Sequence, residues 1–445
     1  MKSEWVTIPL GDVLTLQRGH DLPTQNRLSG EIPILGSSGI TGFHNEAKAT
    51  GPGVTVGRSG NSMGEISYSD KDFWPLNTAL YVTDFKGNDP KFLYYLLQTI
   101  DFDQFNSGSA QKSLNRNAVY PFEVEIPKSR AEQERISSVL SSLEEKAGVN
   151  QKINQTLEQM AQATFKSWFV DFEPVKAKIA ALEADGSEED ALLAAMHAIS
   201  GKGEAELTRL QAEMPEQYAE LRATAELFPS AMQESELGEI PEGWSCQALD
   251  EIAKYQNGLA LQKFRPENED DYLPVLKIAQ LKKGYTDGEE KASPNIKPEC
   301  IINNGDVVFS WSGSLMVDTW CGGKAALNQH LFKVTSETYP KWLYFHFTRR
   351  HLEEFQRIAA DKAVTMGHIK REHLKRALCA IPGEALIEKA GSSLSNILEK
   401  QIELRIESTT LSKLRDTLLP KLLSGELSVA NMEAQVTEAE ETADV

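Results

Sequence analysis

The chain has 445 residues, 40% hydrophobic and 25% charged, enough for two or three domains with ordinary cores and the composition of a soluble globular protein. Its formal charge of −19 excludes the strongly basic footprint of a solitary nucleic-acid-binding domain. Four cysteines (Cys246, Cys300, Cys321, Cys379) lie in the second half without a Cys-x-x-Cys pair, which argues against a disulfide framework and fits a reducing cytoplasm.

The start, Met1-Lys-Ser-Glu-Trp-Val, lacks an apolar signal core, and no apolar run is long enough to span a bilayer; a cytoplasmic location away from membranes is expected. Residues 1–128 read as a mixed α/β domain. A short amphipathic helix over Leu10 to Gln17 is followed by Gly19, placed to stop it as a left-handed cap. Strands are expected at Ile32–Leu35, Gly53–Val56 and Leu80–Val82, separated by Gly- and Ser-rich turns such as Ser59-Gly60. A helix follows Pro90-Lys91, with Phe92, Tyr94 and Tyr95 read as core packing. Residues 129–172 then read as one long helix, in which Ile136, Leu143 and Leu157 recur at multiples of seven and Leu140, Ile153 and Met160 fill intervening positions. That seam is narrow and coiled-coil-like, and Asn150 is a lone polar residue on it, the kind that fixes register.

An acidic stretch, 173–241, reads as a solvated helical connector. Residues 242–382 form a second mixed α/β domain, with a short helix over Leu249 to Gln256, Gly258 as its cap, strands at Leu273–Leu276, Asp306–Phe309 and Leu331–Val334, and a helix after Pro340-Lys341. A second long helix fills 383–428, with Ala390, Ile397, Leu404, Leu411 and Leu418 at sevenfold spacing, and 429–445 reads as a disordered acidic tail.

The two domains are copies. Trp5, Leu10, Val13, Gln17 and Gly19 answer Trp244, Leu249, Ile252, Gln256 and Gly258 at a constant shift of 239. Ser59-Gly60 answers Ser312-Gly313, Asn77 answers Asn328, Pro90-Lys91 answers Pro340-Lys341, and Ile126-Pro127 answers Ile381-Pro382. A period this long is two copies of one domain rather than a solenoid. The charge follows the same division. Residues 1–128 hold 11 Lys+Arg against 14 Asp+Glu and residues 242–382 hold 19 against 18, whereas 129–241 hold 10 against 21. The acidity sits outside the repeated domains, which are near neutral and free to carry local basic patches. The fold class expected is α+β: two homologous domains separated by two long antiparallel coiled-coil-like helices in a pseudo-two-fold arrangement. About 40 helical residues span roughly 60 Å, more than the roughly 34 Å of one DNA turn.

These residues alone leave open a reader of a two-part ligand, a protein-interaction scaffold with duplicated adapter domains, or an enzyme. Taken with Gly238-Glu-Ile-Pro-Glu-Gly-Trp244, the Ser107-Gly-Ser-Ala-Gln-Lys112 loop, Phe165-Lys-Ser-Trp168-Phe-Val-Asp-Phe172 and Leu418-Leu-Pro-Lys-Leu-Leu-Ser-Gly-Glu-Leu427, they resemble the specificity subunit of type I restriction–modification systems over almost the whole chain. The resemblance implies that each domain reads one half of a bipartite double-stranded DNA target. It also implies that the helices set the gap and dock two methyltransferase subunits, that a restriction and translocase subunit joins them, and that the chain itself is not catalytic. One departure is visible. Where the first copy has Lys112-Ser-Leu-Asn-Arg116, the second has Gly367-His-Ile-Lys-Arg371, a loop kept in position but changed in chemistry, as two different half-sites require.

Base-edge contacts need polar or basic side chains on turns and loops. The candidates are Arg58, Asn61, Lys112, Asn115 and Arg116 in the first domain, and Lys282, Lys283, Lys324, Lys370, Arg371 and Lys375 in the second. Trp168, Phe169 and Phe172 admit helix-end packing or docking of a methyltransferase subunit. No catalytic constellation accompanies them. Gly322-Gly-Lys324 lacks the flanking residues of a phosphate loop, and Ser109-Ala-Gln-Lys112 is a bare Ser-x-x-Lys without supporting motifs. His346 with His351, and His368 with His373, are spaced five apart and do not share a helical face. No cofactor and no metal are expected.

Overall fold

In chain order the first domain comprises β1 (Trp5–Pro9), α1 (Leu10–Val13), β2 (Thr15–Arg18), β3 (Ile32–Gly36), β4 (Gly39–His44), β5 (Gly53–Gly57), β6 (Ile66–Ser69), β7 (Trp74–Pro75), β8 (Ala79–Asp84), α2 (Pro90–Gln98), α3 (Arg116–Val119) and β9 (Glu123–Pro127). The structure, a computed structural model, describes residues 4–108, 111–268, 270–361 and 367–431. The expected acidic tail from residue 432 on, and the Ser109-Ala110 and Val364-to-Met366 parts of the two corresponding loops, lie outside the described residues.

The main sheet of this domain has the order β2-β8-β5-β6, with every neighbouring pair antiparallel. All five residues of β5 are buried, as befits a β-branched central strand covered on both faces. A smaller sheet, β4-β3-β7, lies beside it in sequence, and β1 pairs with β9 to bring the two ends of the domain together. Helix α2 begins where Asp89 accepts a hydrogen bond from Phe92 N at 2.7 Å, with Pro90 in the first helical turn, a strong N-terminal signal. It buries Phe92, Leu93, Tyr95, Leu96 and Leu97.

Helix α4 (Arg130–Phe169) follows, then α5 (Glu173–Glu183), α6 (Glu188–Ser200), α7 (Glu204–Glu213), α8 (Pro215–Glu226) and the hairpin β10 (Met232–Ser235) and β11 (Gly238–Pro241). The acidic connector is more than a solvated spacer. Leu192, Ala195, Met196, Leu207, Leu210 and Ala225 form a small core of their own. Lys178 is buried there and donates to the Phe228 carbonyl at 2.5 Å.

The second domain comprises β12 (Ser245–Ala248), α9 (Leu249–Ile252), β13 (Lys254–Asn257), β14 (Leu273–Leu276), α10 (Ile278–Lys283), β15 (Lys291–Ala292), β16 (Ile301–Ile302), β17 (Val307–Ser310), β18 (Met316–Thr319), β19 (Ala325–Leu327), β20 (Leu331–Thr335), α11 (Lys341–Arg350), α12 (Leu352–Asp361), α13 (Arg371–Arg376) and β21 (Leu378–Ile381), and α14 (Glu384–Leu423) follows. Its main sheet, β13-β20-β17-β18, repeats the order of the first, and β12 pairs with β21 as β1 pairs with β9.

The opening helices are shorter than the apolar spacing suggests. After one turn of α1 the backbone at Leu14 is extended (φ −152°, ψ 165°), and after α9 so is Ala253 (φ −150°, ψ 151°). Leu16 and Tyr255 are therefore buried as strand residues of β2 and β13. Gly19 and Gly258 are not left-handed caps. A Cβ on Gly19 would overlap the Leu76 carbonyl oxygen, and one on Gly258 the carbonyls of Leu327 and Asn328, so glycine is required by the close passage of another strand's backbone.

The chain divides into two compact units, Met1–Ala147 with Thr410–Val445, and Gly148–Thr409. Both long helices contribute to both. In the first unit Arg415 donates to Glu144 at 3.0 Å, and Tyr95 donates to the other oxygen of the same carboxylate at 2.8 Å. In the second, Asn150 Nδ2 donates to Glu407 at 2.7 Å and Gln401 Nε2 to Glu158 at 2.9 Å. Partners rise along α4 as they fall along α14, so the helices pack antiparallel. Asn150 is fully buried on this seam, its Oδ1 lacking a hydrogen-bond partner.

Candidate functional site

The same backbone frame is built twice around the Ser-Gly turns. In the first domain Gly60 N donates to Lys112 O (3.0 Å) and Leu114 N to Arg58 O (2.8 Å). In the second, Gly313 N donates to Gly367 O (2.9 Å) and Ile369 N to Trp311 O (3.0 Å). Ser59 bridges Ser113, and Ser312 bridges His368. Glycine at 60 and 313 is required by positive φ, +80° and +65°. The two copies hold these turns against the following loop in the same way, while their exposed side chains differ.

Arg116 and Arg371 are exposed, and one guanidinium nitrogen of each is tied into the frame. Arg116 Nη1 donates to Leu16 O at 2.8 Å, and Arg371 Nη2 donates to Tyr255 O at 3.1 Å. Leu16 and Tyr255 are equivalent residues of β2 and β13, so each arginine ties the start of α3 or α13 to the first strand of its sheet. The Arg371 guanidinium also lies over Phe332, 5.6 Å from the ring centroid. Asn115 is exposed and is the N-cap of α3, its Oδ1 accepting from Asn117 N at 3.0 Å.

The other first-domain candidates surround the turn. Arg58 is half-buried, with a long 3.5 Å contact from Nη1 to Asn77 O, and Asn61 is exposed at the tip. Lys112 is exposed and paired with Asp103 at 2.6 Å, a surface ion pair of small net worth that a phosphate could displace. Asn106 shapes the loop, its Oδ1 accepting from Gly108 N (2.9 Å) and Ser113 N (3.0 Å).

The second-domain lysines are scattered. Lys282 and Lys283 end α10, with Lys283 3.9 Å from Asp287; Lys324 precedes β19; Lys370 lies 4.0 Å from Glu372 before α13; and Lys375 is exposed on that helix. Only Lys370 adjoins the shared frame in sequence. What the frame presents in this domain is a group that charge-based reading passes over. Trp311 stands where Arg58 stands, packed 5.8 Å from His330, 5.9 Å from Phe332 and 6.3 Å from His368 by ring centroids. Ser312 Oγ is 2.9 Å from His330 Nδ1, and Gln329 Nε2 is 3.3 Å from His330 Nε2. The one available signal was positional: the Asn328-Gln-His triplet answers Asn77-Thr-Ala.

Trp168, Phe169 and Phe172 are interior, at 8%, 1% and 7% exposure. Trp168 meets Phe228 edge-on at 5.3 Å, Phe169 packs 5.5 Å from Trp342, and Phe172 meets Trp244 edge-on at 5.6 Å. Helix-end packing accounts for all three, and as a docking surface they have almost nothing left to offer. The apolar residues that α4 does expose are Val149 (49%), Ile153 (41%) and Met160 (52%), spaced so that they share one face.

Two histidines with chemical potential are structural. His346 stacks on Phe165 (5.0 Å, 24°), and burial pushes its pKa down to about 4, against an opposing pull from Glu158. His351 donates from Nε2 to Leu378 O at 3.0 Å, and the Cys379 thiol 3.8 Å away is pushed far up by burial, so this pair holds no ready nucleophile. Among the described residues all four cysteines are free, and no helix is long and apolar enough to cross a membrane.

Comparison with known proteins gives a consistent result. The family described as type I restriction modification DNA specificity domain matches residues 2–159 and 241–407, one match over each copy and more than half of the long helix after it. The specificity subunit of the type I restriction enzyme HindI from Haemophilus influenzae is 29% identical over 390 residues, covering 83% of this chain and 85% of that protein. The specificity subunit of MjaIX from Methanocaldococcus jannaschii is 24% identical over 354 residues, covering 77% and 70%. The crystal structure of a type I system S subunit from M. genitalium shares the fold, with a TM-score of 0.55 at 14% identity across 94% of this chain and 96% of that one.

Proposed function

The chain belongs to the type I restriction–modification DNA specificity family, as a recognition subunit without catalysis of its own, and from that premise we propose that each duplicated frame reads one half of a bipartite duplex target. The supporting observation is the pairing of one hydrogen-bonded backbone frame, present twice, with two different sets of exposed side chains. Phosphate contacts position a protein and base-edge contacts specify the sequence. A conserved frame with exchanged side chains is the economical way to read two unlike half-sites with one orientation on DNA.

In the first domain Arg58 and Asn61 face bases and Lys112 a phosphate. In the second, Lys282, Lys283, Lys324, Lys370 and Lys375 supply phosphate contacts. Arg116, Arg371 and Asn115 hold the frame. The near-neutral charge of both domains leaves much of the phosphate affinity to partner subunits. The long helices set the unspecified gap, and the exposed Val149, Ile153 and Met160 face of α4 docks a methyltransferase subunit, a restriction and translocase subunit joining the assembly.

Reconstituted with methyltransferase subunits, the chain shifts duplex DNA in a gel with a steep loss of affinity on raising salt. A salt-independent or absent shift would favour an adapter scaffold instead. Deleting one heptad from each of α4 and α14 shortens the gap, and an unchanged gap removes the spacer role. Ile153→Asp with Met160→Asp weakens assembly with the methyltransferase at least tenfold while leaving the thermal midpoint of the free chain within a few degrees. Unchanged assembly removes that face as the dock.

A further inference from the structure

The second domain has no arginine at its Ser-Gly turn; it has a relay of three side chains instead. Gln329 Nε2 lies 3.3 Å from His330 Nε2, and His330 Nδ1 lies 2.9 Å from Ser312 Oγ; with the amide nitrogen as donor, His330 Nε2 accepts and the ring proton sits on Nδ1, donating to Ser312 Oγ. Ser312 is itself fixed by the bridge to His368, and the imidazole is packed against Trp311. The primary amide of Gln329 carries two N–H groups and one carbonyl oxygen. One N–H is spent on His330, leaving the second N–H and Oε1 as an adjacent donor–acceptor pair on a half-buried side chain, joined through His330 to Ser312, which the exposed Gly313 and Ser314 follow in the chain. In the major groove adenine offers the complementary pair, the N7 acceptor and the N6 donor.

Resting on the function proposed above, we infer that Gln329 is the base-reading residue of the second domain, that it specifies adenine, and that His330 is its positioning residue. Thr78 occupies the corresponding place in the first domain, so the two frames differ here in chemistry as well as at Arg58 and Trp311.

The test is selection of bound duplexes from a randomised library by the complex of the full chain with its methyltransferase subunits, followed by sequencing. Wild-type complex selects two blocks, one of which contains an adenine that Gln329→Ala no longer prefers, by about 10- to 100-fold. Gln329→Glu, similar in size but lacking the donor, moves the preference at that position toward cytosine, whose N4 amino group a carboxylate accepts from. His330→Phe keeps an aromatic against Trp311 but releases the amide, and loses preference at the same position by a smaller factor. The other block and the gap are unchanged in all three. If every variant keeps the wild-type preference in both blocks, or if the change falls at no single position, the assignment of Gln329 is wrong even though the two-block reading stands. If wild-type complex itself selects no two-block sequence, the underlying function fails instead.

Discussion

Replacing Arg371 by alanine separates a structural arginine from a base-reading one. Its guanidinium makes a charge-assisted hydrogen bond to Tyr255 O at 3.1 Å and lies 5.6 Å from the Phe332 centroid. A hydrogen bond to a charged group contributes about 1.5 kcal/mol at the low end suited to an exposed side chain, and the ring contact contributes about 0.5 kcal/mol. Arg371→Ala is therefore expected to cost about 2 kcal/mol. Arg116→Ala is expected to cost less, about 0.5–1 kcal/mol, because Leu16 O also accepts from Tyr120 Oη at 3.1 Å and keeps a donor. Urea unfolding followed by tryptophan fluorescence reads both, since Trp5 and Trp74 lie in the first domain with Arg116, and Trp311, Trp320 and Trp342 in the second with Arg371; the midpoint shifts and the slope stays constant. Base preferences selected by the assembled complex do not change in either variant. An unfolding midpoint equal to wild type, together with a lost preference at one base position, would refute the placement of these arginines in the frame.

Three further outcomes are expected. His346 has a pKa of about 4 in the folded chain against 6.5 for the ordinary side chain, so between those values the unfolded chain takes up a proton that the folded chain refuses. Its contribution is intact above about pH 6.5 and is lost progressively, by up to about 3 kcal/mol, as pH falls toward 4; His346→Phe removes this share of the pH dependence, and an unaltered pH profile of the unfolding midpoint contradicts the assignment. Trp168→Ala and Phe169→Ala each lower stability by about 3–5 kcal/mol by opening the aromatic cluster, read in the same urea assay, whereas a role in docking alone leaves the free chain's stability unmoved. Asn150→Leu relieves a buried, unpartnered carbonyl oxygen and raises stability by about 1 kcal/mol at the cost of register specificity, and a loss of stability would mean that the bond to Glu407 outweighs the orphan.

Much of the duplication was legible because it rests on residues with strong individual requirements. Leu10 and Leu249 are fully buried at equivalent places, and Gly60 and Gly313 both occupy left-handed backbone. The helix expected over Leu10 to Gln17 failed because apolar residues at 10, 13, 14 and 16 fit a helix as well as a turn followed by a strand; pairing with β8 decides the matter, and that partner lies some 65 residues away. Gly19 and Gly258 were read as local caps for the same reason, since the carbonyls that demand glycine there come from distant strands. Trp168 and its neighbours could not be sorted into core or dock because their partners, Phe228, Trp244 and Trp342, are remote in sequence. Gln329 carries no charge and so escaped a reading built on basic loops; only the hydrogen bond to His330 distinguishes it.

Library selection with the assembled complex tests the central claim most directly: two frames of one design, each reading its own half. Two specific blocks separated by unspecified base pairs are expected, with Asn61→Ala and Arg58→Ala altering one block and Gln329→Ala the other. A single contiguous block, or variants of both domains altering the same positions, would contradict it.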